Sequence, residues 1–259
     1  MYAIDLSGTN GIVFGVANHR SIAWAIAQVL DEAGMRLAIG YQNERLKENV
    51  VKLAPTLRQP PLLVHCDVTD EETVRQAFAT VAAEFGSLSA LVHSIAFANR
   101  DDLAGEFFKT EWDGFRVALQ VSSYSLLAVA RHALPLMETN GGSIITMTFQ
   151  ASTRVFPGYN VMGTAKAALE HEVRQLAYEL GPKHIRVNAI SAGPLDTLAA
   201  RGIHGFVDMK KVHAERAPLR RNITHREVAT TALYLASDLS AAVTGAVIPV
   251  DAGYSIMGM

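Results

Sequence analysis

Seven short apolar segments, separated by stretches with helical spacing, constrain the fold of this chain more than any other feature. They read GIVFGV, RLAIGY, PLLVHCDV, ALVHSIAFA, GSIITMTF, IRVNAIS and AVIPVDAG. Segments this continuously apolar are typical of strands covered on both faces, as in a parallel sheet, whereas a half-exposed antiparallel sheet alternates apolar and polar residues. The pattern therefore predicts a sheet of about seven parallel strands.

The stretches between these segments have the residue spacing of helices. IAWAIAQVLDEAG ends at Gly34, and DEETVRQAFATVAAEFG begins with acidic residues and ends at Gly86; both are ordinary helix boundary signals. TEWDGFRVALQVSSYSLLAVARHAL and YNVMGTAKAALEHEVRQLAYELG predict two longer helices. Strands that alternate with helices form right-handed βαβ units. The expected fold class is α/β, a single doubly wound parallel sheet with helices on both faces, spanning residues 1–259.

One segment of about thirty residues, from Leu195 to Asn222, interrupts this alternation between the sixth and seventh strands. Insertions of this length are usually functional lids or disordered segments. Its apolar residues are candidates for a lid that excludes water from a site: Ile203, Phe206, Val207 and Met209.

Composition excludes several classes of protein. Lys and Arg number 23 and Asp and Glu 25, so the formal charge of -2 favours neither nucleic acid nor anionic lipid as a partner. The single cysteine, Cys66, excludes an internal disulfide and a multi-cysteine zinc site. No uncharged stretch approaches the ~20 apolar residues of a membrane span, and MYAIDLSG lacks the features of a signal peptide. We expect a cytoplasmic protein that binds a small molecule and no metal.

The first strand runs into GVANHRSIA, where a nucleotide would bind. In a doubly wound sheet, ligands bind beyond the carboxyl ends of the strands. Gly15 permits a tight turn, and the helix that follows offers free N–H groups to a pyrophosphate. The full G-x-G-x-x-G pattern is absent, because Ser21 stands where a later glycine is expected. A plain strand-to-helix turn is therefore an equally good interpretation of this segment.

The ends of the second and third strands carry candidate contacts for the adenosine half of such a nucleotide. Gln42 is neutral and can hydrogen-bond a ribose hydroxyl, which favours NADH, whereas the nearby Arg45 keeps NADPH open. Asp67 and Val68 suit a hydrogen-bond acceptor and an apolar wall around adenine. Helix capping before DEETV is the alternative role for Asp67, and the two roles are compatible.

Tyr159 and Lys166 form the most specific pair of candidate catalytic residues. They are seven residues apart at the start of a predicted helix, which is nearly two turns and places both on one face. An ammonium close to a phenol lowers the phenol's pKa from its usual value of about 10, so the pair can donate a proton and stabilise an oxyanion. Any bare Tyr/Lys pair is more often a packing tyrosine beside a surface lysine, so the surrounding sequence decides.

The surrounding segments resemble a known family. YNVMGTAKAALE, NAISAGP and VDAGYSIMGM are similar to the enoyl-acyl-carrier-protein reductases, a divergent branch of the short-chain dehydrogenase/reductase superfamily, as are GVANHRSIAWAIA, YQNERLK, HCDV, VHSIAFA and SSYS. Ordinary members of the superfamily place Tyr and Lys four residues apart, whereas this branch has the wider interval found here. The resemblance covers essentially the whole chain. It implies a Rossmann-type fold, reduction of enoyl thioesters carried by acyl carrier protein in fatty acid biosynthesis, and a homotetramer.

The resemblance also implies roles for individual residues. Hydride from NADH would add to the β-carbon of a trans-2-enoyl thioester, and Tyr159 would stabilise the resulting enolate oxygen beside Lys166. Ala98 and Phe149 would contact the acyl substrate. The implied cofactor contacts are Gly15, Ser21, Ile22, Gln42, Asp67, Val68, Ile95, Lys166, Leu195, Asp196, Thr197, Leu198 and Ala199.

Two residues depart from the family pattern. Phe149 stands ten residues before Tyr159, where the family usually has a second tyrosine, so one hydroxyl donor is missing. This loss costs up to about 1–3 kcal/mol if nothing compensates, and we expect activity that is reduced or retuned rather than abolished. Asp196 occupies a loop position at which the family often has a basic residue.

Two other functions remain open at this stage. A carbonyl or alcohol dehydrogenase of the same superfamily would share the cofactor site, although the Tyr/Lys interval and the absence of a serine at position 149 argue against it. A nicotinamide-binding regulator with impaired catalysis is suggested by Phe149, although Tyr159 and Lys166 are both present. The basic residues of the insertion are either ordinary solvated charges, which we favour, or a docking surface for acyl carrier protein: Lys210, Lys211, Arg216, Arg220 and Arg221.

Overall fold

A computed structural model describes residues 4–198, 200 and 205–258 of the chain. Its strands are β1 (Asn10–Phe14), β2 (Arg36–Tyr41), β3 (Leu62–His65), β4 (Ala90–His93), β5 (Gly142–Thr148), β6 (Ile185–Ala192) and β7 (Val247–Val250). They form one sheet in the order β3-β2-β1-β4-β5-β6-β7, and all neighbouring pairs are parallel. The predicted doubly wound sheet of seven strands is confirmed.

The centre of the sheet explains why its strand segments are so uniformly apolar. β1 lies between β2 and β4, and Ile12 and Val13, on opposite faces of it, are both fully buried. The chain winds outward in one direction from β1 to β3 and in the other from β4 to β7, so the strand order reverses between β1 and β4. This reversal is the switch point at which doubly wound sheets bind ligands.

Helices cover both faces of the sheet, as expected. They are α1 (Ile22–Glu32), α2 (Glu44–Leu53), α3 (Glu71–Phe85), α4 (Trp112–Leu119), α5 (Ser125–Met137), α6 (Asn160–Leu180), α7 (Phe206–Arg216) and α8 (His225–Ala236). One apolar core joins the sheet to α1 and α8, and a second core joins the other face to α3, α5 and α6. These two layers hold the strand ends, and therefore the loops beyond them, in fixed positions.

The predicted long helix over 110–134 is interrupted. A π-helical turn at Gln120–Tyr124 separates α4 from α5. The buried Ser122 hydroxyl donates to Phe97 O over 3.0 Å and accepts from Phe97 N over 2.9 Å. This contact joins the π turn to the loop after β4. Single π turns are frequent at functional sites, and helical periodicity in the sequence does not reveal them.

The insertion predicted between the last two strands contains the regular helix α7. Of the lid candidates, Phe206 and Met209 are partly buried and Val207 is exposed, whereas Ile203 lies outside the described residues. Cys66 is buried but follows β3 instead of belonging to it. Within the described ranges, no helix combines the length and apolar character needed to cross a membrane.

Candidate active site

Gly15 brings the ends of β1 and β4 into contact at the switch point. Its φ is +100°, a conformation that side chains rarely adopt, and a Cβ there would lie 2.0 Å from the Ser94 carbonyl oxygen. The close approach belongs to the backbone of both loops, so it cannot be relieved by moving a side chain. The glycine predicted at a tight turn is therefore required by geometry as well as by φ.

Ser21 shapes the turn between β1 and α1. The Ser21 hydroxyl oxygen accepts hydrogen bonds from Ala17 N and Asn18 N, at 2.9 and 3.0 Å, and the residue is buried. Ile22 is the first residue of α1, whose first turn carries no acidic side chain. The Ser21 side chain thus stabilises the loop in which the usual pattern would have a glycine. Because no acidic side chain lies in the first turn, the N-terminus of α1 remains favourable for an anion.

Gln42 and Asp67 come together at the ends of β2 and β3. Gln42 Nε2 donates to Asp67 Oδ2 over 3.2 Å, and Thr69 donates to Asp67 Oδ1 from both its backbone N–H and its hydroxyl. Partial burial of Asp67 opposes its ionisation, but these hydrogen bonds lower its pKa overall. The alternative role of Asp67 as a helix cap is wrong, because Asp70 caps α3 by accepting from Glu72 N.

The remaining predicted cofactor contacts also follow strand ends. Val68 and Ile95 are partly buried after β3 and β4. Leu195 is buried after β6, and Thr197 N donates to its carbonyl oxygen over 2.8 Å. Leu198 is exposed, and Ala199 lies outside the described residues. The predicted contacts that the structure describes thus leave the sheet at the same edge.

Asp196 pairs with a basic residue of the insertion. Its carboxylate accepts a charge-assisted hydrogen bond from Lys210 Nζ on α7, and this bond lowers the pKa of Asp196. Asp196 thereby ties the segment after β6 to the helix of the insertion. Two other basic residues of the insertion also contact protein groups, Arg220 the Glu215 carbonyl oxygen and Arg221 the Glu227 carboxylate.

Tyr159 lies immediately before α6, in a small apolar cluster. Leu103, Met162 and Ala165 form this cluster, and both Tyr159 and Ala98 pack against it. The ring of Phe149 meets the Tyr159 ring edge to face, with 5.2 Å between ring centroids and an interplanar angle of 65°. The structure therefore brings together the predicted catalytic tyrosine and both predicted substrate contacts.

Lys166 lies on α6 with only 4% of its surface exposed. Its ammonium donates to the Met147 carbonyl oxygen at 2.9 Å. Burial lowers the pKa of Lys166 to about 8, although the nearby Glu170 carboxylate acts in the opposite direction. Thr148 donates to Glu170 Oε1 at 2.7 Å and so holds this carboxylate in place.

One electrostatic expectation for the pair is wrong. Burial raises the pKa of the Tyr159 phenol above its usual value, and Lys166 does not offset this rise. The ammonium is engaged with Met147 O instead of the phenol. Tyr159 is therefore a protonated hydrogen-bond donor across the physiological pH range, and it does not ionise readily.

Sequence reasoning missed a buried histidine beside the lysine. His93 Nδ1 and Nε2 are hydrogen-bonded to the Thr146 and Ser125 hydroxyls at 2.9 and 2.8 Å. Burial, together with the Lys166 charge, lowers the pKa of His93 to about 3, so the ring is neutral. The available signal was a histidine inside the apolar segment ALVHSIAFA, where it requires buried partners.

A parallel doubly wound sheet, a glycine contact at its switch point and a tyrosine and lysine at its carboxyl edge define the class of Rossmann-type dinucleotide-binding proteins. The family model described as enoyl-(acyl carrier protein) reductase matches residues 15–255. The chain therefore belongs to the enoyl-acyl-carrier-protein reductase family, and the resemblance seen in the sequence is confirmed.

Individual relatives agree over their whole length. The chain is 51% identical over 254 residues to the enoyl-[acyl-carrier-protein] reductase [NADH] of Bacillus cereus, covering 98% of this chain and 99% of that protein. It is 46% identical to the [NADPH] enzyme of Staphylococcus aureus, covering 97% and 98% of the two chains. Among solved structures, the Bacillus cereus enzyme with NADP+ and indole naphthyridinone has a TM-score of 0.97 at 50% identity, with both chains fully covered. The Anaplasma phagocytophilum reductase in complex with NAD has a TM-score of 0.95 at 43% identity, covering 100% of this chain and 98% of that one.

Proposed function

We propose that this protein reduces the trans-2 double bond of enoyl-acyl-carrier-protein thioesters with NADH, in fatty acid biosynthesis. The observation that carries the proposal is the surroundings of Tyr159. Its ring contacts Phe149, and it packs against the same apolar cluster as Ala98. The buried Lys166 lies about two helical turns further along α6. An apolar cluster suits an acyl chain, and the phenol supplies a polar group within it. The family and the full-length relatives support the same activity.

Tyr159 acts on the charge that develops during the reaction. When bound, the reduced nicotinamide supplies a hydride to the β-carbon of the enoyl group. Negative charge then accumulates on the thioester oxygen as an enolate, and the Tyr159 hydroxyl donates a hydrogen bond to this oxygen. The raised pKa of the partly buried phenol keeps it protonated for this role. Donors aimed at developing charge contribute several kcal/mol, typically about 3–4, to barrier lowering in dry sites.

In the proposed cofactor site, different residues contact different parts of the dinucleotide. Gly15, Ser21 and Ile22 would contact the pyrophosphate at the N-terminus of α1. Lys166 would hydrogen-bond the nicotinamide ribose. The remaining proposed contacts come from Gln42, Asp67, Val68, Ile95 and the segment 195–199.

The neutral Gln42 favours NADH over NADPH. Its side-chain amide donates to Asp67 and can also hydrogen-bond a ribose hydroxyl. Because the amide is neutral, it supplies no positive charge to a ribose 2'-phosphate. Arg45 is exposed on α2 and offers the opposite charge nearby, so a comparison of kcat/KM with the two nicotinamides tests this choice. A preference for NADPH would contradict it.

The proposed assembly is a homotetramer in the cytoplasm. Trp112 on α4 and Tyr178 on α6 are 69% and 80% exposed, and large exposed aromatic side chains suit a subunit interface. The single cysteine fits a reducing compartment. Light scattering of the purified protein measures the assembly directly, and a monomeric mass at micromolar concentration would contradict the proposal.

The function is tested by Tyr159→Phe. We expect kcat for a crotonyl thioester to fall about 100-fold or more, because the oxyanion donor is lost, while NADH affinity changes less than about threefold. Absorbance of NADH measures turnover, and fluorescence titration measures binding. Tyr234→Phe, which removes the hydroxyl of a partly buried tyrosine on α8, is the matched control.

Three outcomes separate the competing functions. Turnover of the crotonyl thioester by the native protein supports the reductase, turnover of ketones alone identifies a carbonyl dehydrogenase, and NADH binding without any turnover identifies a regulator. An unchanged rate in Tyr159→Phe would show that the phenol does not carry the oxyanion.

A further inference from the structure

His213 is a buried polar residue that has no part in the site described above. It lies on α7 with 3% of its surface exposed, and its ring stacks on Tyr254 with 4.8 Å between centroids and an interplanar angle of 27°. Neither ring nitrogen makes a hydrogen bond of normal geometry within the described part of the chain, and the buried Asn222 side-chain oxygen also lacks a partner there. Burial lowers the pKa of His213 and outweighs the Asn222 side chain and the Asp251 backbone, which still lie close enough to raise it. On another side the ring packs against Gly193, where a Cβ would lie 2.9 Å from Nε2.

A small cavity adjoins this imidazole. Its volume is about 10 Å³, and its lining includes Phe149, Gln150, Ser191, Met209, His213 and Asp251. This is about the volume at which a cavity first accommodates one water molecule, and the lining offers several polar partners for it. The cavity also reaches the proposed acyl site, because Phe149 forms one of its walls.

The protonation of the ring suits a water ligand. Burial lowers the pKa of His213, so at neutral pH one nitrogen carries a hydrogen and the other accepts one. The Asp251 carboxylate, after β7, accepts from Gly253 N and Ser255 N at 2.9 and 2.8 Å, which commits much of its capacity to the backbone. Leaving a buried imidazole without partners is unfavourable, and a bound water would satisfy it.

The position of His213 links it to the acyl site. Met209 lies four residues earlier on α7, and residues at this spacing share one face of a helix. Both line the cavity that Phe149 borders. The contacts of His213 with Gly193 and Tyr254 therefore fix the face of α7 that carries Met209 relative to the ends of β6 and β7.

We propose that His213 is a positioning residue for the enoyl thioester, binding one buried water in this cavity and so holding α7 with Met209 against the Phe149 side of the acyl pocket. The inference rests on the proposed function, since it takes Phe149 as an acyl contact. His213 would then hold the insertion through a polar contact, which the apolar lid residues do not provide.

Two variants of His213 test the anchor. His213→Phe keeps a ring that stacks on Tyr254 but removes both nitrogens, and we expect the KM for a crotonyl thioester to rise about fivefold, with kcat and the KM for NADH within about twofold of the native values. His213→Gln retains a donor and an acceptor and restores the thioester KM to within about twofold. His171→Phe, at an exposed histidine on α6, is the matched control.

A crystal structure of the full-length native protein provides a second measurement that does not depend on the variants folding. A water within about 3.2 Å of a His213 ring nitrogen supports the proposal, and a dry cavity overturns it. Equal thioester KM values for native protein and His213→Phe, or equal impairment of the Phe and Gln variants, also overturn it. Loss of the reductase function itself would appear separately, as absent turnover in the native protein.

Discussion

Phe149 shows how a single residue can change the chemistry of a site without changing its packing. Its ring lies 4.7 Å from the Phe156 ring and 5.2 Å from the Tyr159 ring, measured between centroids, so aromatic neighbours hold it from two sides. The resemblance implies a tyrosine at this position in the family, and Phe149 would then keep the ring and lack only the hydroxyl. On the proposed mechanism, Tyr159 is then the one phenol of the pair left to stabilise the enolate.

Phe149→Tyr should therefore improve catalysis. The added hydroxyl offers a second donor to the thioester, and a net hydrogen bond of about 1 kcal/mol corresponds to a rise in kcat/KM of about fivefold. Steady-state reduction of a crotonyl thioester measures it. Phe156→Tyr, which adds a hydroxyl to the other aromatic neighbour, is the control, and a fall in kcat/KM for Phe149→Tyr would contradict the expectation.

Lys166 should give the pH profile an alkaline limb. Its pKa of about 8 means that the ammonium, present below this value, is lost as pH rises through it. We expect kcat/KM of the free enzyme to fall above pH 8, and Lys166→Arg to remove this limb because a guanidinium stays charged. Stability moves the opposite way. The unfolded chain, with a lysine pKa near 10.4, binds more protons between about pH 8 and 10.4, so this group adds stability as pH rises through that range.

Some properties of these residues follow from local sequence, and others do not. Gly15, Tyr159 and Lys166 could be predicted because short-range patterns mark them: a strand end and a fixed interval on a helix. The raised pKa of Tyr159 and the buried nitrogens of His213 could not be predicted, because both depend on which distant segments desolvate these groups. Burial of a polar group is a tertiary property, and local spacing does not encode it.

At the scale of elements, α8 illustrates a helix start that is set locally. Thr224 accepts a hydrogen bond from Glu227 N, and Glu227 in turn accepts from Thr224 N, which forms a reciprocal capping box. Two backbone N–H groups that have no partner within the helix are satisfied in this way. By contrast, the π turn between α4 and α5 coincides with a contact between Ser122 and the distant Phe97, and helical periodicity predicted one uninterrupted helix there.

Thr224→Ala should destabilise the protein by about 1 kcal/mol, the usual effect of losing an N-cap side chain. Chemical denaturation monitored by circular dichroism measures this difference in the free energy of unfolding. Thr230→Ala, an exposed change inside the same helix, should have a smaller effect. Equal losses in the two variants would indicate that the cap contributes nothing specific.

At the scale of the whole molecule, the two layers of helices are held by burial much more than by surface charge. Leu30 of α1 is fully buried in the core that also contains α8. The same two helices are joined on the surface by the ion pair of Arg226 with Glu32, whose side chains are 64% and 43% exposed. Exposed pairs contribute about 0–1 kcal/mol, whereas removing a buried leucine side chain costs about 2–5 kcal/mol.

We therefore expect Leu30→Ala to lower the free energy of unfolding by about 2–5 kcal/mol and Arg226→Ala by less than about 1 kcal/mol. Denaturant titrations at low and moderate salt measure both free energies of unfolding. As salt rises, the value for Arg226→Ala should approach that of the native protein, whereas the deficit of Leu30→Ala should persist. A larger loss for Arg226→Ala than for Leu30→Ala would reverse this ranking.

The reversal of strand order places the proposed site at one edge of the sheet and leaves the opposite edge available for substitutions. The described residues that we propose for the cofactor and the acyl chain either follow the carboxyl ends of the strands or lie at the start of a helix that such a loop feeds. The opposite rim connects elements of the fold to one another, since Asn10 Nδ2 donates to the Ser87 carbonyl oxygen and Gly142 N donates to that of His184. Labels, immobilisation points and stabilising substitutions belong on that amino rim, where they affect folding and leave the reaction undisturbed.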